Sequence, residues 1–263
     1  VDVGFVGAGR MGAPMVRRLV DAGHRVQALG RTAEKRAAVE ELGARPVADT
    51  AAVADGADAV VVCVFTDEQV KRLCLDGDLV ARMRPGATLV LHTTGSPRTA
   101  QTVAARFEHV EVIDAPVSGG PHDIAAGSVT LFVGGSDDAV AGVRPVLETY
   151  GDPILHAGPP GAGQLVKLVN NTMFAAQIGL VAEGVRLGSR LGVDEGPLLN
   201  ALTHGSAQSR VLSMIASAGS ADAFISAVGE FIGKDVAVVR NTVAELGGDL
   251  GKLEALVDAG VKS

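Results

Sequence analysis

The sequence predicts two domains, a doubly wound α/β domain with a mainly parallel sheet followed by an all-α domain that opens on a long helix. Three observations carry that expectation. Up to about residue 158, short apolar runs alternate with amphipathic helical stretches, the pattern of βαβ units. At Gly158-Pro159-Pro160-Gly161 the alternation stops, and from about 162 to 191 neither proline nor a strand pattern interrupts what reads as one helix. Composition agrees: 47% of residues are hydrophobic, but only 3% are aromatic and none is tryptophan, so the cores must be close-packed from small aliphatics. A chain of 263 residues can supply two such cores, assigned to residues 1–158 and 159–263.

The elements follow in order. Val3-Gly4-Phe5-Val6 is an apolar run ending in glycines, followed by a helix with Met11, Met15, Val16, Leu19 and Val20 on one side. Asp21-Ala22-Gly23 closes that helix, and a strand resumes over 24–29. Further strands are expected over 59–64, 88–91, 110–113, 129–133 and 153–156, with helical stretches separating most of them. Such units build a parallel sheet with helices on both faces. Beyond the long helix the chain stays helical, with breaks expected at Gly192, near Gly196-Pro197, around His204-Gly205-Ser206 and at Gly247-Gly248.

Charge and cysteine content narrow the function. A net charge of -7 without a basic block argues against nucleic acid as a partner. No run approaches the roughly 18 uninterrupted apolar residues of a membrane helix, so no membrane role is expected, and the first residues enter a strand without a signal-peptide pattern. Cys63 and Cys74 lie outside any zinc or Cys-x-x-Cys spacing, which points to a reducing cytoplasm and to no metal site.

Between the first strand and first helix lies Gly7-Ala8-Gly9-Arg10-Met11-Gly12. In that place a G-x-G-x-x-G string is the dinucleotide fingerprint of a Rossmann-type domain. Its first glycine permits the tight turn, its second lets a pyrophosphate approach the backbone, and its third lets helix and strand pack closely. The helix N-terminus adds free N–H groups and a positive dipole end. After the second strand an NAD site would place an acid for the ribose 2′-hydroxyl. This chain has Leu29-Gly30-Arg31-Thr32 instead. Arg31 and Thr32, with Lys35 nearby, suit a 2′-phosphate and predict NADP(H); a solvated loop charge is the other reading of Arg31.

Two further stretches carry chemistry. Asp114-Ala115-Pro116-Val117-Ser118-Gly119-Gly120 offers a hydroxyl and approachable backbone N–H groups, a fit for a small carboxylate, although the string alone also fits a structural turn. Lys167 and Asn171 stand four residues apart in the long helix, on one face and amid Leu165, Val166, Leu168, Val169, Met173 and Phe174. A lysine buried in such surroundings becomes a proton donor or acceptor near neutral pH. Taken alone, the pair also fits a snorkelling lysine beside a solvated amide.

Together these pieces resemble the β-hydroxyacid dehydrogenase family, which includes 3-hydroxyisobutyrate dehydrogenase and the glyoxylate/succinic semialdehyde reductases and is distantly related to 6-phosphogluconate dehydrogenase. The cofactor loop Gly7 to Met15 looks like the family's extended version. Asp114 to Gly120 looks like its substrate motif, Gly161 to Asn171 like its catalytic motif, and Lys234-Asp235 like its C-terminal motif. The resemblance implies Lys167 as general acid/base and Asn171 as the residue that orients the substrate oxygen. Ser118, Gly119 and Gly120 would hold the carboxylate, and Lys234 would lie beside nicotinamide and substrate. Val64-Phe65 takes the place of a loop passing the nicotinamide, and Thr94 that of a cofactor-contacting threonine. A homodimer or homotetramer formed through the long helix is also implied.

Departures are present. Phe65-Thr66 replaces the usual Leu-Pro, Leu91-His92 replaces a typical Asp-Met, Ala227 stands where a Phe is customary, and the last helices lack the family's usual motifs. The expected reaction is hydride transfer between a small β-hydroxyacid and its semialdehyde or keto acid. An imine reductase-like enzyme and a non-catalytic NADPH-binding module are the rival readings. Lys167 and the intact substrate loop favour the hydroxyacid chemistry.

Overall fold

Strands at the centre of the first unit show no polar–apolar alternation, because they are covered on both faces. All four residues of both β4 (Ala59–Val62) and β5 (Thr88–Leu91) are buried, as a parallel sheet between helical layers requires. The computed structural model describes residues 1–261, leaving aside the side chains of Glu230 and Phe231. Two compact units divide the chain, Val1–Lys167 and a second beginning at Leu168.

In the first unit, β1 (Asp2–Val6), β2 (Arg25–Leu29), β3 (Arg45–Val47), β4, β5 and β6 (Glu111–Asp114) are parallel, in the order β3-β2-β1-β4-β5-β6. Beyond β6 the sheet continues through β8 (Val129–Gly134), which runs antiparallel to β6 and to the two-residue β7 (Val117–Ser118) and parallel to β9 (Gly151–Gly158). Seven helices intervene: α1 (Gly12–Asp21), α2 (Ala33–Glu41), α3 (Thr50–Ala54), α4 (Asp67–Lys71), α5 (Pro97–Arg106), α6 (Pro121–Ala125) and α7 (Asp137–Leu147). One side of the sheet packs Phe5, Met15, Leu19, Ile113, Leu131 and Tyr150; the other packs Val6, Val60, Leu79, Leu89 and Val103. Phe5 pairs with Ala28 on one flank and Val61 on the other. The chain thus leaves β1 toward β2 and later returns to the opposite flank with β4. The order reverses between β1 and β4, and the carboxyl ends of the strands at such a switch point are where doubly wound sheets bind ligands.

Two strands lie outside the sequence expectation. β3 is three residues with Pro46 at its centre, tolerable because it is the sheet edge. β7 is too short to show a period.

The long helix α8 (Ala162–Arg190) is 29 residues and closely matches the expected span. In the second unit it is followed by α9 (Glu195–Leu202), α10 (Arg210–Ala218), α11 (Ala221–Glu245) and α12 (Glu254–Val261). Ile178, Leu199, Ile215, Phe224 and Val257 form the core. Gly179 on α8 and Gly260 on α12 let those helices approach until an added Cβ on either would collide with the other's backbone carbonyl. The break expected near Gly196-Pro197 is absent. Both residues lie in the first turn of α9, where proline's missing N–H has no helical acceptor to lose. The chain breaks instead at Gly219, whose left-handed φ of 89° ends α10. By length and hydropathy α8 could cross a membrane, but half of its most apolar stretch is buried inside the protein.

Candidate functional site

The glycines of the first loop divide by what surrounds them. A Cβ at Gly7, where φ is 102°, would run into the Cys63 carbonyl at the end of β4, and one at Gly12 would strike the Gly7 carbonyl and the Phe5 ring. The fold itself therefore excludes side chains at both. A Cβ at Gly9 would meet nothing within 4 Å, so the open space beside it lets a ligand approach the backbone. Arg10 and Gly9 are exposed, while Ala8 and Met11 are half-buried. α1 carries no side-chain cap and no acid in its first turn. Of its first three residues, Ala13 donates its N–H to the Gly9 carbonyl at 2.8 Å and Pro14 has none, so the Gly12 N–H and the dipole end are what this helix start offers a pyrophosphate, and the residues present fit a dinucleotide.

At the end of β2, Arg31, Thr32 and Lys35 are all exposed. The Thr32 hydroxyl caps α2 by accepting the Lys35 N–H at 3.2 Å. The 64–65 loop is held from the neighbouring strand end: Thr93 Oγ1 donates to the Val64 carbonyl at 2.9 Å and accepts its N–H at 3.1 Å. Phe65 is 56% exposed and its N–H donates to Gln69 Oε1 at 2.8 Å. Thr94 is half-buried beside Thr93.

The start of α8 is fastened to the sheet by Asp114, at the end of β6 and fully buried. Its carboxylate accepts the Gly161 N–H at 2.6 Å and the Gln164 N–H at 2.7 Å, two of the donors that a helix leaves without internal partners. Burial pushes the Asp114 carboxyl up to about 6, against these N–H bonds, which pull it down. The Gln164 side chain completes the attachment by accepting the Gly95 N–H at 3.0 Å and donating to the Thr93 carbonyl at 2.7 Å. At Gly163 a Cβ would collide with the Phe132 carbonyl, so the helix start needs glycine there to lie against the strands. Lys167 follows Gln164 by three residues and is only 8% exposed, so it does not snorkel into solvent. In the loop after β6, Ser118 is half-buried, Gly119 has a φ of 139°, and the Gly120 N–H already donates to Asp123 at 2.7 Å.

In the second unit Asn171 is 7% exposed and donates through Nδ2 to Asp235 Oδ2 at 3.0 Å. Asp235 is the neighbour of half-buried Lys234 on α11. The sequence reading had Lys234-Asp235 as a motif, but the bond from Asn171 to Asp235 is a tertiary fact.

Asp114, Gln164 and Thr93 are structurally important residues that the sequence reading left without roles. The available signal was an acid ending an apolar strand, with a glycine-led helix start downstream. His92 is another: it is 2% exposed, with Nδ1 2.6 Å from the Ala115 carbonyl and Nε2 2.9 Å from the Tyr150 hydroxyl. A carbonyl only accepts, so Nδ1 carries the proton and Tyr150 donates to Nε2. Burial pushes His92 down to about 4 and pushes the Tyr150 phenol up. Among the described residues no group of three or more His, Cys, Asp or Glu could hold a metal ion.

Two expectations follow. Asp114→Asn sets an amide NH₂ against one of the two N–H donors and should lower the unfolding free energy at pH 7 by about 1–3 kcal/mol. Hydrogen exchange at the first amides of α8 should quicken; an unaltered urea midpoint together with unaltered exchange would remove Asp114 from this anchoring role. His92 takes up its proton in the unfolded chain near the ordinary 6.5 but in the folded protein only near 4. Its contribution to stability is therefore present above pH 6.5 and lost as pH falls toward 4, on the order of 3 kcal/mol across that window. Asp114 titrates with the opposite sign, so the comparison is wild type against His92→Gln, in which Asp114 is common to both. The wild-type advantage in urea unfolding should shrink between pH 6.5 and 4.

Residues 2–158 match the family model described as the NAD binding domain of 6-phosphogluconate dehydrogenase. Residues 161–257 match that described as NAD-binding of NADP-dependent 3-hydroxyisobutyrate dehydrogenase. The 3-hydroxyisobutyrate dehydrogenase of Pseudomonas aeruginosa is 34% identical over 216 residues, covering 81% of this chain and 72% of that protein. An NAD-dependent L-serine dehydrogenase of the same organism is 35% identical over 196 residues, 73% of this chain and 66% of that one. The solved structure of Mycobacterium tuberculosis 3-hydroxyisobutyrate dehydrogenase with L-serine is similar at a TM-score of 0.89 and 28% identity, covering 99% of this chain and 92% of that one. With a glycine loop between its first strand and helix and matches across both units, the chain belongs to the 3-hydroxyisobutyrate dehydrogenase family of NAD(P)-binding hydroxyacid oxidoreductases.

Proposed function

We propose that this chain is an NADPH-dependent oxidoreductase that interconverts a small β-hydroxyacid and its semialdehyde or keto acid, with Lys167 as general acid/base. The observation that carries this reading is a buried lysine on the turn that follows a helix start fastened by Asp114 and Gln164. Gly7, Gly9, Gly12 and the N-terminus of α1 would hold the pyrophosphate, and Arg31, Thr32 and Lys35 the 2′-phosphate. Bound NADPH supplies the hydride. Lys167 delivers the proton to the carbonyl oxygen in reduction and removes it from the hydroxyl in oxidation. Asn171 orients that oxygen: Asp235 takes one of the two Nδ2 hydrogens, and the other can serve the substrate. Ser118 Oγ and the Gly119 N–H are the donors for the substrate carboxylate, since Gly120 is engaged by Asp123. Lys234 supplies a positive charge beside Asp235. The substrate class is supported by the names of the relatives, because 3-hydroxyisobutyrate and L-serine are both small β-hydroxy carboxylates.

Lys167→Ala tests the mechanism. Assayed against short semialdehydes with NADPH, its kcat should fall by about 10²–10⁴, while the NADPH Kd measured by fluorescence stays near the wild-type value. Retention of most turnover would remove Lys167 from the role. The exposed apolar residues Val169, Met173, Leu180 and Leu187 along α8, each at least half exposed, support a homodimer or homotetramer. Light scattering should then give a mass at least twice the 26.7 kDa of one chain, and a monomer at micromolar concentration would count against it.

A further inference from the structure

Cofactor choice in a dinucleotide fold is made beyond the end of the second strand, where an acid recognises a ribose 2′-hydroxyl and cations recognise a 2′-phosphate. In this chain the residue directly after β2 is Gly30, and its surroundings close it to any side chain. A Cβ there would stand 2.8 Å from Arg36 Cγ and 2.9 Å from both Arg36 Cα and Arg36 N. Two of those three atoms are backbone in the first turns of α2, and they cannot swing aside as a side-chain tip could. The turn is tied in place: the Arg36 N–H donates to the Thr32 carbonyl at 3.0 Å and the Gly30 N–H to the Val47 carbonyl at 2.8 Å. Arg36 Nη1 donates in turn to the Gly30 carbonyl at 3.2 Å.

This arrangement reduces the acceptors that position 30 could offer a 2′-hydroxyl. A side chain at position 30 would collide with the backbone of Arg36, and the Gly30 carbonyl has one of its two acceptor positions taken by a guanidinium N–H. A phosphate gains from both, since a carboxylate and an unpaired carbonyl oxygen would each repel it. Glu34 is the only acid in the first turn of α2, and it is exposed.

We propose that Arg36 is a positioning residue for cofactor specificity: its turn of α2 excludes an acid from position 30, and its guanidinium occupies the Gly30 carbonyl, so that Arg31 and Lys35 decide what binds beside the adenosine ribose. The proposal rests on the NADPH reading above and adds to it a residue that need not touch the cofactor.

The test compares kcat/KM for NADPH and NADH in wild type, Arg36→Met and Gly30→Asp, with thermal unfolding of each. Arg36→Met keeps the methylene stem and deletes the donor. Its NADPH-to-NADH ratio should fall by about five-fold or more through the KM values, with kcat and Tm close to wild type. A purely structural role would shift both cofactors together and leave the ratio unchanged. Gly30→Asp should gain no use of NADH and should unfold at lower temperature. A ratio in Arg36→Met within about two-fold of wild type, or a gain of NADH use in Gly30→Asp, would overturn the proposal while leaving the NADPH reading intact. A wild-type preference for NADH would overturn that reading and the proposal with it.

Discussion

A carboxylate with no exposure to solvent, Asp114, closes the first turn of the longest helix in the chain by accepting the N–H groups of Gly161 and Gln164. The interaction joins the last parallel strand to the start of α8, and the position of Lys167 depends on it. Isolating a carboxylate from water is costly, which is why burial pushes its pKa up to about 6. The cost is accepted because the donors it satisfies belong to a helix end that would otherwise be buried without partners. Gln164 adds a second attachment, to the loop that also holds Val64 through Thr93. The proton transfer proposed for Lys167 would require that side chain to be held within a fraction of an ångström, and two attachments of its helix start to rigid strand ends are suited to that control.

Backbone groups dominate the rest of the first unit's chemistry. The Gly7 turn, the N-terminus of α1 and the Ser118-Gly119 loop consist largely of backbone, and neighbouring side chains serve to place it. Asp123 on Gly120 and Thr93 on Val64 illustrate this. His92 and its partner Tyr150 both bury a titratable ring, His92 as a neutral imidazole with both nitrogens paired. Tyr150 lies immediately before β9, so the pair joins the ends of two distant strands.

Much of the fold was legible because the parallel sheet writes itself as apolar runs of fixed length, separated by helices of a different period. The elements missed were those with too few residues to show a period, β3 and β7, and the one false break came from reading Gly196-Pro197 as an interruption when the first turn of a helix tolerates both. In the candidate site, Lys167 and Asn171 were legible from their spacing, and the glycine loop from its position between strand and helix. Asp114 stood inside a recognised motif without a recognisable duty, since nothing local says that its oxygens meet donors about fifty residues away. Asp235 was likewise named without its partner Asn171, sixty-four residues distant.

The sequence by itself determined the alternation of strands and helices, the long helix that follows it, the glycine loop between first strand and first helix, the one helix face carrying Lys167 and Asn171, and the absence of an acid after β2. Each is a local matter of periodicity, spacing or residue type, which chain geometry converts directly into structure. Only the tertiary structure decided that Gly7 and Gly12 serve the fold while Gly9 faces open space, that Gly120 is engaged by Asp123, and that position 30 is closed by Arg36. Those outcomes depend on which groups from other elements arrive within a few ångströms. Packing distances between elements, unlike periods along a chain, are set only once the whole core has assembled.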